Sequence, residues 1–165
     1  MKTSIVLLAI TLLSSPILCI AKEIDPTSAC IANLAENPDF KMISTKVALA
    51  GPSNQTIEIL TNKSKPKKNE MAVISKWNAS LTDCFNLGKD YRKENDSEFM
   101  QSAHTETFQN FEKLVEKLYS RKITYGAFAN ARAAELEKFN AKVAQNQRNI
   151  ENKKILETTV KIKSM

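Results

Sequence analysis

One histidine, one tryptophan, three glycines and five prolines in 165 residues leave little material for several kinds of chemistry and fold. Histidine is the usual group for exchanging protons near neutral pH. His104 has only Glu106 and nearby hydroxyls close to it in sequence, so no Ser-His-Asp set can be assembled around it. With so few glycines there is no phosphate-cradling loop and no Gly-x-Ser-x-Gly, and His-Glu-x-x-His is also missing. The three cysteines form neither Cys-x-x-Cys nor Cys-x-x-Cys-His, which excludes the paired redox, zinc and haem-attachment motifs. The carboxylates Asp83, Glu106, Glu112, Glu116, Glu135 and Glu137 are scattered among lysines, the pattern of solvated helix faces. The chain is therefore expected to be non-enzymatic, with no metal and no cofactor as the primary reading.

What the chain does have begins at its N-terminus. Lys2, the apolar run Ile5 to Leu13 with Ile17 and Leu18, and the small residues Cys19 and Ala21 have the shape of a secretory signal peptide over residues 1–21. Ser14, Ser15 and Pro16 interrupt the run, which is too short for a membrane span of about 20 apolar residues. Leu18 is bulky where a lipobox before Cys19 needs a small residue. Secretion or a periplasmic location follows as an expectation, with no transmembrane span in the mature chain. An oxidising compartment would let Cys30 and Cys84 pair and close a loop of about 55 residues.

Few glycines and many Ala, Lys, Glu, Leu and Gln favour helix over a turn-dense β-sandwich. Asp25-Pro26 and Asn37-Pro38 each place an N-cap acceptor before a proline at N1. The first opens a short helix carrying Cys30, Ile31 and Leu34. The second predicts another, with Phe40, Ile43, Val47 and Ala50 on one face up to Gly51-Pro52. Ser53 is expected to cap a further short helix with Ile57 and Leu60 inward, and the polar stretch from Asn62 to Lys68 reads as an exposed loop. Met71, Ile74, Trp77, Leu81, Cys84, Gly88 and Tyr91 predict one helix continuing to about Glu94. Asn95-Asp96-Ser97 ends it, and Phe99, Ala103, Phe108, Phe111, Leu114 and Leu118 predict the next. Thr124 caps a third, with Phe128, Ala131, Glu135, Phe139 and Val143 facing inward.

The expected fold is all-α: a helical bundle of three long antiparallel helices, with a short-helix N-terminal cap tied by one disulfide. Residues 22–143 form the bundle domain, and 144–165 a basic, polar C-terminal extension expected to project and fray. Two lysine clusters, Lys63, Lys65, Lys67 and Lys68 in the loop and Lys153, Lys154, Lys161 and Lys163 in the extension, suit contact with a polyanion or an envelope component. Neither cluster contains an aromatic residue, so specific nucleic-acid binding is not expected. The chain is read as an exported module that contacts an unidentified protein or an anionic envelope component.

The alternative is a small-ligand or cofactor-binding bundle built on Met71, Met100 and His104, and an enzyme ranks third. Asn54, Asn62, Asn78 and Asn95 each begin an Asn-x-Ser/Thr match, which would be idle in a bacterial periplasm. Tyr125-Gly126-Ala127-Phe128 is the most distinctive string, since a glycine there lets another backbone come close or marks a hydrophobic corner.

Overall fold

The structure is a computed structural model that describes residues 24–163; the signal-peptide reading of residues 1–21 lies outside them. The described residues are helical and contain no strand. Six α-helices occur in the order α1 (Pro26–Ala35), α2 (Ile57–Leu60), α3 (Lys68–Leu87), α4 (Lys89–Asn95), α5 (Glu98–Tyr119) and α6 (Tyr125–Lys163). Short 3-10 turns at Pro38–Phe40 and Pro52–Asn54 lie between α1 and α2.

Caps set most of the boundaries. Asp25 accepts from Thr27 N–H at 2.8 Å with Pro26 at the first helical position, Ser97 accepts from Met100 N–H, and Thr124 accepts from Ala127 N–H at 3.1 Å. Asn37 also caps as its sequence predicts, accepting from Asp39 N–H at 2.9 Å.

The segment it opens is not the expected helix. After Phe40 the chain runs through successive turns whose bonds mostly span three residues, from Ile43 N–H to Phe40 and from Ser44 N–H to Lys41. Ser44 Oγ bonds the Lys41 carbonyl, the local competition that draws such residues out of helices. Phe40, Ile43 and Val47 still turn inward and are fully buried, because a three-then-four spacing also satisfies a chain of tight turns.

Two further expectations change. Thr56, not Ser53, caps α2, and the inward residue is Ile59, while Ile57 is 67% exposed. The helix predicted from Met71 to Glu94 is two helices that meet at Gly88. A Cβ on Gly88 would lie 2.1 Å from Thr27 Oγ1 and 2.4 Å from Asp25 Oδ1, so only glycine admits the start of α1 at this point. Arg92, buried on α4, completes the junction: it donates to Thr27 Oγ1 at 2.8 Å and to the Phe85 carbonyl, and its guanidinium lies 4.1 Å from the Phe85 ring.

Cys30 of α1 and Cys84 of α3 are joined by a disulfide, with Cα atoms 5.4 Å apart. The bridge and the Arg92 contacts fasten α1 to the end of α3 and to α4. The core around them holds Phe40, Ile43, Ile74, Trp77, Leu118 and Phe128, each at most 1% exposed. Trp77 meets Phe111 and Phe128 edge-on, and Phe85 stacks on Phe108 at 4.2 Å.

The loop before α3 is more than a solvated linker. Pro66 in it is fully buried, Asn62 O accepts from Gly126 N–H at 2.8 Å, and Ser64 O accepts from Tyr125 N–H at 3.0 Å. Gly126 makes this close approach possible, since a Cβ there would lie 2.7 Å from the carbonyl oxygens of Leu60 and Asn62. Helix α6 then runs unbroken for 39 residues, about 58 Å. It continues past Val143 into the C-terminal extension, and every described side chain beyond Asn146 is exposed.

Candidate functional site

The two lysine clusters occupy well-separated places. Lys63, Lys65 and Lys67 are exposed on the loop that packs against the start of α6, and Lys68 opens α3. Lys153, Lys154, Lys161 and Lys163 lie on the exposed end of α6, beginning 28 residues after Tyr125, or about 42 Å along the helix. The clusters do not combine into one basic surface.

The residues of the cofactor alternative are not brought together. Phe85 of α3 meets Phe108 of α5, and Met100 and His104 lie just before Phe108. Met71 lies 14 residues before Phe85, about 21 Å away along α3, in the part of that helix whose neighbours Ser75 and Asn78 face Val115 and Tyr119. His104 has a different setting. Its ring lies 5.1 Å from Phe139, and Nε2 is 3.6 Å from Asp96 Oδ2, too far for a hydrogen bond. Burial pushes its pKa below 6.5, and Arg92 adds to this against the opposing pull of Asp96 and Asp25. The ring is neutral at pH 7. Among the described residues no three His, Cys, Asp or Glu side chains are grouped to hold a metal ion.

The main cavity is an open groove of about 340 Å³ between α3, α5, α6 and the turn at Ala50-Gly51-Pro52. Leu81, Phe85, Phe108, Phe111, Leu136 and Phe139 give it apolar walls, and His104, Thr107, Arg132 and Glu135 are its polar members. Arg132 is 8% exposed and lies between aromatic rings, its guanidinium carbon 5.2 Å from Phe111 and 5.5 Å from both Trp77 and Phe128. Nη1 donates to the Ala48 carbonyl at 2.9 Å, and no carboxylate among the described residues lies within 4.0 Å of the guanidinium. Burial brings its pKa down to about 10, so it stays cationic at neutral pH. Glu135, expected on the inward face, sits half-buried on the groove wall, where Lys138 and Asn110 hold its carboxylate.

A second polar group lies inside the core. Glu70, 4% exposed, accepts from Lys67 N–H at 2.8 Å and from the Tyr125 hydroxyl at 3.0 Å, and pairs with Lys46. Burial raises its pKa, but the bonds from Lys46, Lys67 and Tyr125 together outweigh that effect and hold it below 4.5. This network ties the run of turns after Phe40, the start of α3 and the start of α6 to one carboxylate.

Both Arg132 and Glu70 escape a reading based on apolar periodicity. The available signal is their position: Arg132 is four residues after Phe128, and Glu70 four before Ile74, so each falls in register with an inward face. Of the glycosylation matches, Asn54 and Asn95 are exposed, while Asn78 is half-buried with its Oδ1 sealed from solvent. No family model matches the chain, and no curated protein or solved structure is similar to it.

Proposed function

We propose that this chain is an exported, non-enzymatic interaction protein that contacts an anionic component of the cell envelope through the C-terminal arm of α6. The architecture we infer is a bundle of three long antiparallel helices, α3, α5 and α6, with α1 and the 3-10 turns as its N-terminal cap. Paired contacts support this: Trp77 with Phe111 and Phe85 with Phe108 between α3 and α5, and Asn110 with Glu135 and Glu106 with Lys142 between α5 and α6. In each set the residue numbers rise on one helix as they fall on the other.

The observation that carries the functional reading is the exposed end of α6. Ile155, Leu156, Val160 and Ile162 are 63% to 69% exposed on a helix that continues to Lys163. Ile155 and Ile162, seven apart, and Leu156 and Val160, four apart, share one side; Lys154 and Lys161, also seven apart, share the other, and Lys153 and Lys163 flank Val160 and Leu156. Only Glu151 and Glu157 offset the positive charge there. A basic amphipathic helix of this kind lies in the plane of an anionic lipid interface. No helix among the described residues is long and apolar enough to cross a membrane. Export, supported by the N-terminal sequence and by the cystine, would bring the arm to such a surface.

The test is sedimentation with vesicles of phosphatidylglycerol and of phosphatidylcholine. Binding is expected to the anionic vesicles and to weaken as salt rises. Each lysine near such a surface contributes about 1 kcal/mol, so neutralising Lys153, Lys154, Lys161 and Lys163 to Gln should cut partitioning on the order of a hundredfold or more. Salt-independent or headgroup-independent binding, or none, would reject an anionic surface and leave a protein partner as the reading to pursue.

A further inference from the structure

The groove beside Arg132 is separate from the arm, and its chemistry points to a different kind of ligand. Buried cations in proteins are as a rule paired with an anion. Arg132 makes one hydrogen bond, to a neutral carbonyl, and three ring contacts, none of which can accept its remaining N–H groups along the guanidinium edge. The sealed and unpartnered polar atoms among the described residues are Trp77 Nε1 and Asn78 Oδ1, so the remaining N–H groups of Arg132 are not sealed off, and Arg132 lines the groove. A guanidinium edge receives a carboxylate through two parallel bonds.

We infer that this groove binds an amphipathic monocarboxylate, with its carboxylate on Arg132 and a medium-length acyl body along Phe85, Phe108 and Phe139. A volume of about 340 Å³ falls within the range of small-molecule sites, and the walls are apolar except where Arg132 and three other polar residues enter. Those three do not compete for the role. Glu135 is engaged by Lys138 and Asn110, Thr107 Oγ1 is spent on the Ala103 carbonyl, and the neutral His104 supplies no rival charge.

Trp77 is the single tryptophan, and its ring lies 5.5 Å from the Arg132 guanidinium carbon, which makes it an internal reporter. The gene product purified from an exporting host is titrated with decanoate and, in parallel, with 1-decanol, below their aggregation concentrations, by tryptophan fluorescence and by calorimetry. Decanoate should bind saturably at one site, and decanol at least tenfold more weakly. Arg132→Met should keep the cooperative melting transition and lose the preference for decanoate. Arg132→Lys, which keeps the charge without the two-pronged edge, should weaken decanoate and retain some preference. If Arg132→Met does not fold, the wild-type preference and the Arg132→Lys titration decide. Equal binding of decanoate and decanol, undiminished decanoate affinity in folded Arg132→Met, or no saturable decanoate site overturns the assignment.

Discussion

At the scale of single residues, two positions hold more of the fold than their chemistry announces. Gly126 lies in the string whose glycine the sequence marks for a close backbone approach, and a methyl group there meets two backbone carbonyls that no rotamer change can move. Gly126→Ala should therefore cost about 1–3 kcal/mol, the range for forcing volume into a packed site, measured as a shift in the urea midpoint at constant slope. Glu70 joins three segments through Lys46, Lys67 and Tyr125. Its folded-state pKa is depressed below 4.5, so its contribution is complete above that value and is lost as the pH falls through the folded-state pKa. Stability should thus fall as the pH drops below 4.5. Glu70→Gln should flatten that part of the profile while lowering stability at pH 7 by about 1.5–3 kcal/mol, the worth of hydrogen bonds to a charged group. An unchanged acid limb in the variant would assign the acid sensitivity to other carboxylates, Asp25 first among them, since the bonds from Thr27 and the charge of Arg92 hold its pKa low despite burial.

At the scale of elements, α1 has no fully buried residue; Ile31, Leu34 and Ala35 pack half-buried against the core, and two attachments fasten it there. One is the disulfide to Cys84, the other Arg92 reaching Asp25 and Thr27. Closing the 54-residue separation contributes about 4 kcal/mol in the chain-entropy model. Reduction should lower the melting temperature and raise amide exchange over Pro26–Ala35 more than over α3 or α5; uniform protection after reduction would show that Arg92 and the packing of Ile31, Leu34 and Ala35 suffice to hold α1. The break at Gly88 belongs to the same attachment. A side chain at position 88 would run into Thr27 and Asp25 at the start of α1, and the glycine there removes it.

At the scale of the molecule, α6 divides into a packed half and an exposed half without a change in secondary structure. Tyr125, Phe128, Ala129 and Arg132 are buried, and beyond Asn146 nothing described is. Ending the chain at Asn146 should leave the urea midpoint close to that of the full chain and abolish binding to anionic vesicles. A large loss of stability would mean that the arm folds back in solution and is not an outward contact surface. The ring cluster around Arg132 should survive the truncation, so decanoate titration of the same variant separates the groove from the arm.

Much of this was written locally and much was not. Asp25-Pro26 and Thr124 marked helix starts because caps act within three residues, and the cysteine pair was legible because only two cysteines follow the N-terminal segment. The inward placement of Phe40, Ile43 and Val47 was legible as well, though their backbone was not, since helix and consecutive tight turns share that spacing. The basic residues of the arm could be named from sequence, while their distance from the loop lysines depended on α6 continuing unbroken. Met71, Met100 and His104 looked equivalent as ligands until the pairing of α3 with α5 put Met71 at the far end.

Composition, caps and periodicity by themselves determined an all-helical chain with one cystine, because those signals act through neighbours three or four residues apart. Tertiary structure alone decided which segments come against Gly88 and Gly126, that Glu70 joins three of them, and that Arg132 enters an apolar groove with no carboxylate paired to it. The physical reason is desolvation. A charge in sequence costs nothing to place, and only packing against distant residues takes its water away and makes the identity of its partner matter.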